Sequence, residues 1–137
     1  RLNEKVEIAS RLETTSVSAL GLTFKDKKAT SAKRVSKIKV SFTIAKNVTA
    51  QVGMRNIYLR VTRPDGQLLM HSKDDLFDFE DSKINFSATR QVEYGGEETS
   101  SYVVYNVDAG ELMEGEYSIE LFCETGRMGS CNLKLKD

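Results

Sequence analysis

Asp74, Asp75, Asp78, Glu80 and Asp81 place five carboxylates within eight residues, a set of hard oxygen donors suited in principle to Ca²⁺. The ligand spacing of an EF-hand loop is absent, however, and Phe77 and Phe79 alternate through the segment as if anchoring it to a core. That pattern predicts a solvated acidic loop or edge strand, where negative charge discourages unwanted pairing. Asp74, Asp75 and Asp78 are the weak candidates for a metal site. Tyr58, Tyr94, Tyr102 and Tyr105 could line a platform for a sugar or a protein partner. Tyrosine is also ordinary in strands, and the chain has no tryptophan to strengthen the platform.

The remaining polar motifs point away from catalysis. His71 is the only histidine, so neither a triad nor a zinc site can be built around it by itself. Gly95-Gly96-Glu97-Glu98 lacks the Lys-Ser/Thr and the following helix of a phosphate loop, and predicts a hairpin turn. Lys25, Lys27, Lys28, Lys33, Arg34 and Lys37 form a basic run tempered by Asp26. Nucleic acid or anionic lipid could meet it, but no aromatics for base stacking accompany it, and a solvated loop is expected. Asn47-Val48-Thr49 and Asn85-Phe86-Ser87 match the glycosylation sequon. No acid–base or nucleophile pair stands out, so no enzyme and no cofactor are expected.

The elements that would position these residues are strands. Ile38, Val40, Phe42 and Ile44 alternate with Lys37, Lys39, Ser41 and Thr43, a period of two that gives one apolar and one wet face. Ile57, Leu59 and Val61 repeat it, and Pro64-Asp65-Gly66 then supplies a tight turn. Further strands are expected at 17–24, with a bulge at Gly21, and at 68–71, 84–89, 91–94, 102–107 and 117–123. A last strand carries Cys131, Leu133 and Leu135 on one face. About seven to nine strands with regular turn signals predict an all-β, immunoglobulin-like antiparallel β-sandwich over residues 16–137. Residues 1–15 differ: Leu2, Val6 and Ala9 follow helical spacing, predicting a short helix that packs on the sandwich or ends a coiled coil and could pair two chains.

With 137 residues and 39% hydrophobic content, the chain suits one domain with a thin core. No window reaches the ~18 consecutive apolar residues of a membrane span. Beginning at Arg1, it reads as a fragment whose targeting segment has been removed. Lysine plus arginine equals aspartate plus glutamate, yet residues 1–63 hold 14 basic and 4 acidic side chains, and residues 64–137 hold 6 and 16. In a sandwich the two halves interleave, so mutual neutralisation through cross-strand pairs is expected. A two-faced surface favouring head-to-tail association or an anionic partner is the alternative.

Phe42-Thr43-Ile44-Ala45-Lys46-Asn47-Val48-Thr49-Ala50, Ile57-Tyr58-Leu59-Arg60-Val61 with Arg63-Pro64-Asp65-Gly66, and Val92-Glu93-Tyr94-Gly95-Gly96-Glu97-Glu98 together resemble an uncharacterised Bacteroidetes family of membrane-anchored coiled-coil proteins with a C-terminal all-β domain. The resemblance implies an N-terminal anchor, a coiled coil ending near residues 2–12, and a β-domain on the periplasmic side of the inner membrane. Asn106 stands where relatives tend to carry an aromatic. Function is then expected to be that of a non-catalytic protein-interaction or structural head domain, the alternative being a module for glycan or cell-wall polymer. A protein partner in the envelope is implied, with no nucleic acid, and with membrane reached only through a segment absent from this chain.

Cys123 and Cys131 both sit in the apolar phase of their strands and are expected as free thiols. A turn centred on Arg127 would set them opposite each other. One centred on Thr125 leaves them roughly 13 Å apart at strand rise, beyond the ~7 Å a bridge allows. A two-residue Thr125-Gly126 turn would point them to opposite faces. For the acidic segment, calorimetric titration should show no tight Ca²⁺ binding; submicromolar affinity would make it a calcium site after all.

Overall fold

The computed structural model describes residues 12–47, 52–124 and 126–137. The helix expected over residues 2–12, with its seam of Leu2, Val6 and Ala9, lies outside them apart from Leu12. Leu12 has no regular structure and is fully buried, and Glu13 O accepts a 2.8 Å hydrogen bond from Ala45 N.

Nine strands follow: β1 Thr14–Leu22, β2 Lys37–Ile44, β3 Gly53–Thr62, β4 Leu76–Phe79, β5 Ser82–Asn85, β6 Ala88–Tyr94, β7 Thr99–Asn106, β8 Gly115–Cys123 and β9 Gly126–Leu135. One sheet runs β1-β2-β7 and the other β6-β3-β8-β9, all pairs antiparallel. These are the two layers of an immunoglobulin-like sandwich, with β6 extending the second sheet beside β3. At one side β1 lies against β9, and at the other β6 lies against β7.

Alternation builds the core. Ile38, Val40, Phe42 and Ile44 of β2 face Ile57, Leu59 and Val61 of β3 and Tyr117, Ile119 and Leu121 of β8, all buried. Burying apolar faces of this kind is what holds two sheets together, at about 25 cal/mol per Å². β3 continues inward to Arg55, a buried guanidinium whose Nε lies 2.7 Å from Glu124 Oε1.

Part of the outer face of the second sheet is covered. Tyr58 and Phe122 are cross-strand neighbours there, and the β4–β5 hairpin folds over them. Phe77 stacks on Tyr58 at 4.4 Å between centroids, and Phe79 meets Phe122 edge-on at 5.0 Å. Aromatic pairs at such separations add to the area they bury. This third layer explains why Leu121, Phe122 and Cys123 are buried in succession.

Several expected boundaries shift. β1 begins at Thr14, not at residue 17, because the β-branched Thr14 and Thr15 suit an extended backbone. Thr14 pairs with Ile44, and its hydroxyl donates to Met128 O at 3.0 Å. The bulge falls between Thr14 and Ser16, not at Gly21. Gly21 instead allows close packing: a Cβ there would lie 2.7 Å from both Ala29 O and Val35 Cγ2. Residues 68–71 form no strand, only a bridge from Leu68 to Thr62. Gly95-Gly96 joins strands of different sheets, so it is an arch rather than a hairpin turn.

The β8–β9 hairpin decides the cysteines. Cys123 pairs with Gly126, and the register slips between Leu121↔Gly129 and Phe122↔Arg127, making Met128 the extra residue. Cys131 therefore stands opposite Ile119, four positions along β8 from Cys123. That is roughly 13 Å at strand rise, and both are free thiols. Burial also pushes the Cys131 thiol up. Thiol titration of the unfolded, non-reduced protein should find two reactive groups per chain, and the folded protein should react slowly at neutral pH. Finding none on unfolding would mean that this register is wrong.

Candidate interaction face

The four tyrosines do not converge. Tyr94 is fully buried and donates its hydroxyl to Ala45 O at 2.8 Å. Tyr105 is fully buried too and donates to Glu111 Oε2 at 2.8 Å. Burial, then the hydrogen bond to Glu111, raises its phenol far above the usual range. Tyr58 lies beneath Phe77, its phenol raised by burial and then by Glu124 and Asp78. Tyr58 is half-buried there, and Tyr102 is the only one of the four that is exposed, at 38%. A buried phenol is tolerable when its hydroxyl finds a partner, so the expectation of a four-tyrosine surface is corrected to one tyrosine.

Tyr102 lies on the outward face of the β1-β2-β7 sheet. Because Ile38, Val40, Phe42 and Ile44 point inward, Lys39, Ser41 and Thr43 point out, opposite Ser16 and Ser18 on one side and Ser100 and Tyr102 on the other. Thr43 Oγ1 and Ser100 Oγ are 3.0 Å apart. A shallow depression of about 390 Å³ is lined by these hydroxyls, Lys39 and Tyr102, and no Asp or Glu contributes to it. Lys39 Nζ sits 4.6 Å from the centroid of the Tyr102 ring. The Arg90 guanidinium, from β6 of the other sheet, sits 4.3 Å from it. Cation–π contacts of this length hold both cations near the ring without neutralising them. Among the described residues no carboxylate pairs with Lys39 or Arg90. The face can therefore offer hydroxyls as donors and acceptors, one aromatic, and two cations.

A second polar cluster was not foreseen from the sequence. His71 stacks on Tyr105 at 4.6 Å, and its Nδ1 is 3.6 Å from Asp108 Oδ2. Glu111 Oε1 accepts from Asp108 N, while its backbone oxygen accepts from Arg63. Arg63 in turn grips Asp65 through two hydrogen bonds of 3.1 and 2.6 Å, which hold the Asp65 carboxyl below its usual range. Tyr117, at the start of β8, donates to Met113 O at 2.6 Å and accepts from Met113 N at 2.7 Å. That is the tyrosine corner of immunoglobulin-like domains, whose signal was a tyrosine near the start of the strand. These contacts close the β7–β8 loop onto the sandwich, so the cluster acts as a brace.

The other candidates are dispersed. Asp78 pairs with Lys83 across the β4–β5 hairpin at 3.1 Å, and Asp74 N takes the Ser72 hydroxyl as acceptor. Among the described residues no three acidic, histidine or cysteine side chains converge on a point that could hold a metal. Asn85, in the second sequon, spends its amide on Lys73 O and Asp75 O.

Fold and face together define an immunoglobulin-like β-sandwich with one open, hydroxyl-rich sheet. The chain belongs to the family described as Domain of unknown function (DUF8428), which matches residues 13–136. No curated protein matches it. Among solved structures it is similar to a chain of the archaeal flagellum of Methanospirillum hungatei strain JF1, with 11% identity, a TM-score of 0.48, and coverage of 99% of this chain and 75% of that one. It is also similar to the Pseudomonas fluorescens alkylpurine DNA glycosylase AlkC bound to DNA containing an abasic site analog, with 8% identity, a TM-score of 0.47, and coverage of 99% and 37%. Likenesses this distant do not bear on function.

Replacing Tyr117 by Phe removes both hydrogen bonds and leaves the backbone of Met113 short of partners. Urea unfolding should register a loss of about 1–3 kcal/mol. A change within experimental error would mean that the corner does not brace the loop.

Proposed function

We propose that this domain is a non-catalytic interaction module whose working surface is the outward face of β1, β2 and β7. One observation carries the reading: this sheet face is open, free of carboxylates in its central depression, and organised around Tyr102 with Lys39 and Arg90. On the corresponding face of the other sheet, the aromatic part around Tyr58 and Phe122 is covered by the chain's own β4–β5 hairpin. Tyrosine and arginine are the side chains that most often anchor protein–protein contacts. The partner that fits is a protein surface bearing carboxylates, which would meet the two cations. The polar brace around Glu111 supports a non-catalytic reading, since its groups are committed to holding a loop.

A glycan-binding module is the second reading, favoured by the hydroxyl-lined depression of about 390 Å³. Against it, both cations already occupy the surroundings of Tyr102, the ring at this depression that a sugar would stack on. The larger setting belongs to the same proposal and rests on sequence resemblance. The module would head a membrane-anchored coiled coil on the periplasmic side of the inner membrane, paired through Leu2, Val6 and Ala9.

Photo-crosslinking probes at Ser18, Ser41 and Ser100 should give adducts of discrete mass in cells, and Tyr102→Ala should abolish them. Probes at Ser118 and Asn132, on the outer side of the other sheet, should not. Equal labelling from both sets, or none from the first, would sink the reading. Adducts to polysaccharide rather than protein would transfer it to the glycan alternative.

A further inference from the structure

Phe24 is 73% exposed, the most solvent-accessible large apolar side chain among the described residues, and it directly precedes the basic run that was expected to have no aromatic beside it. It is held there by an ordered turn rather than carried on a slack loop. Thr23 N donates to Lys27 O at 2.8 Å, Asp26 N donates to Thr23 O at 2.9 Å, and Leu22 bridges to Lys28. The Thr23 hydroxyl accepts from the backbone of Lys25 and of Lys27, both at 3.3 Å. Asp26 adopts a left-handed conformation, φ 63°, which closes the turn. The ring is thus presented in a conformation already paid for in folding.

The charge around it is equally specific. Asp26 is the only carboxylate within the turn, and Lys37 Nζ neutralises it at 2.8 Å. Lys25, Lys27 and Lys28 then stand uncompensated, with no ion pair to any of them among the described residues. Lys25 Nζ lies 5.7 Å from the Phe24 centroid. The result is an exposed turn that carries one aromatic ring, Lys25 beside it, and Lys27 and Lys28 next along the chain.

We propose that this β1–β2 turn is a contact for an anionic bilayer surface, with Phe24 entering the headgroup layer and Lys25, Lys27 and Lys28 facing the lipid charge. A lone ring favours lipid over protein. Protein hot spots are packed within a wider contact that excludes water. The other large exposed apolar side chains, Val52, Met54, Leu76, Tyr102 and Met113, all lie outside the turn. A membrane interface, by contrast, accepts a single aromatic beside basic residues, because headgroups and acyl chains close around it. This contact is separate from the open sheet face, and either can fail without the other.

The test uses the whole 137-residue chain with vesicles of phosphatidylcholine alone, or containing about a third phosphatidylglycerol. Co-sedimentation should appear only with the anionic vesicles and fall with added salt. Lys27→Ser should weaken partitioning about fivefold, and Phe24→Ser by a similar or larger factor. Both sites are exposed, so the unfolding temperature should hold and separate lost binding from lost fold. The chain has no tryptophan, which makes Phe24→Trp a unique reporter. Its emission should shift to the blue on anionic vesicles and be quenched by brominated lipid. Absence of binding at low salt overturns the proposal. So does binding that survives Phe24→Ser or leaves the tryptophan emission unmoved, since either would describe a polyanion or acidic-protein contact in which the ring takes no part.

Discussion

Four side chains pointing one way from β2 commit this chain to two layers. Ile38, Val40, Phe42 and Ile44 are all buried, and burial requires a second sheet opposite them. β2 is the central strand of its sheet, so β1 and β7 take their registers from it. The same alternation turns Lys39, Ser41 and Thr43 to the other side, where the apolar neighbours are Leu20 and Val104, both paired with Lys39 and half-buried. The open face is thus a consequence of the core and not a separate invention. β3 and β8 obey the same period but carry Tyr58 and Phe122 outward, and those rings need a roof. The β4–β5 hairpin supplies it. Which sheet is open and which is covered follows from the polarity of a few outward residues.

That logic also sets what the sequence could reveal. β2, β3 and β8 were legible because each alternates cleanly over most of its length. The tyrosines were misjudged as a group, although the period could have divided them. Tyr94 is in phase with Val92 and Tyr105 with Val103, so both belong inside; Tyr102 is out of phase and belongs outside. The Cys123–Cys131 register was less accessible, since it turns on an extra residue at Met128 that no turn signal marks. The brace was not legible at all. His71, Tyr105, Asp108 and Glu111 come from two loops and a strand end, and only the folded layers bring them together. The family match spans residues 13–136 and adds no chemistry.

The segregated charges show where simple neutralisation stops. Pairs joining the basic and acidic halves do form: Lys33 with Asp137, Lys46 with Glu97, and Arg55 with Glu124. They sit mainly at strand ends and loops rather than across strands as expected, because hydroxyls and aromatics occupy the cross-strand positions of the open sheet. The exposed pairs contribute little to stability, since water and salt screen them. Arg55 with Glu124 matters more, because a buried guanidinium without its carboxylate would cost several kcal/mol.

What neutralisation leaves over is the more informative remainder. Asp26 and Lys37 consume each other within the first half of the chain, so the neighbouring lysines receive no partner from that source. Lys39 is held over a tyrosine ring and not against a carboxylate. A cation–π contact keeps the charge and fixes its position, whereas an ion pair would cancel it. Net neutrality therefore hides a surface on which positive charge is localised along the β1-β2-β7 sheet and at its β1–β2 turn. In both places an aromatic side chain stands beside the uncancelled charge, Tyr102 on the face and Phe24 at the tip. Charge gives such a surface reach over about a Debye length, and the rings act only on contact. Attraction and commitment are thus carried by different side chains, which lets salt weaken the first without altering the second.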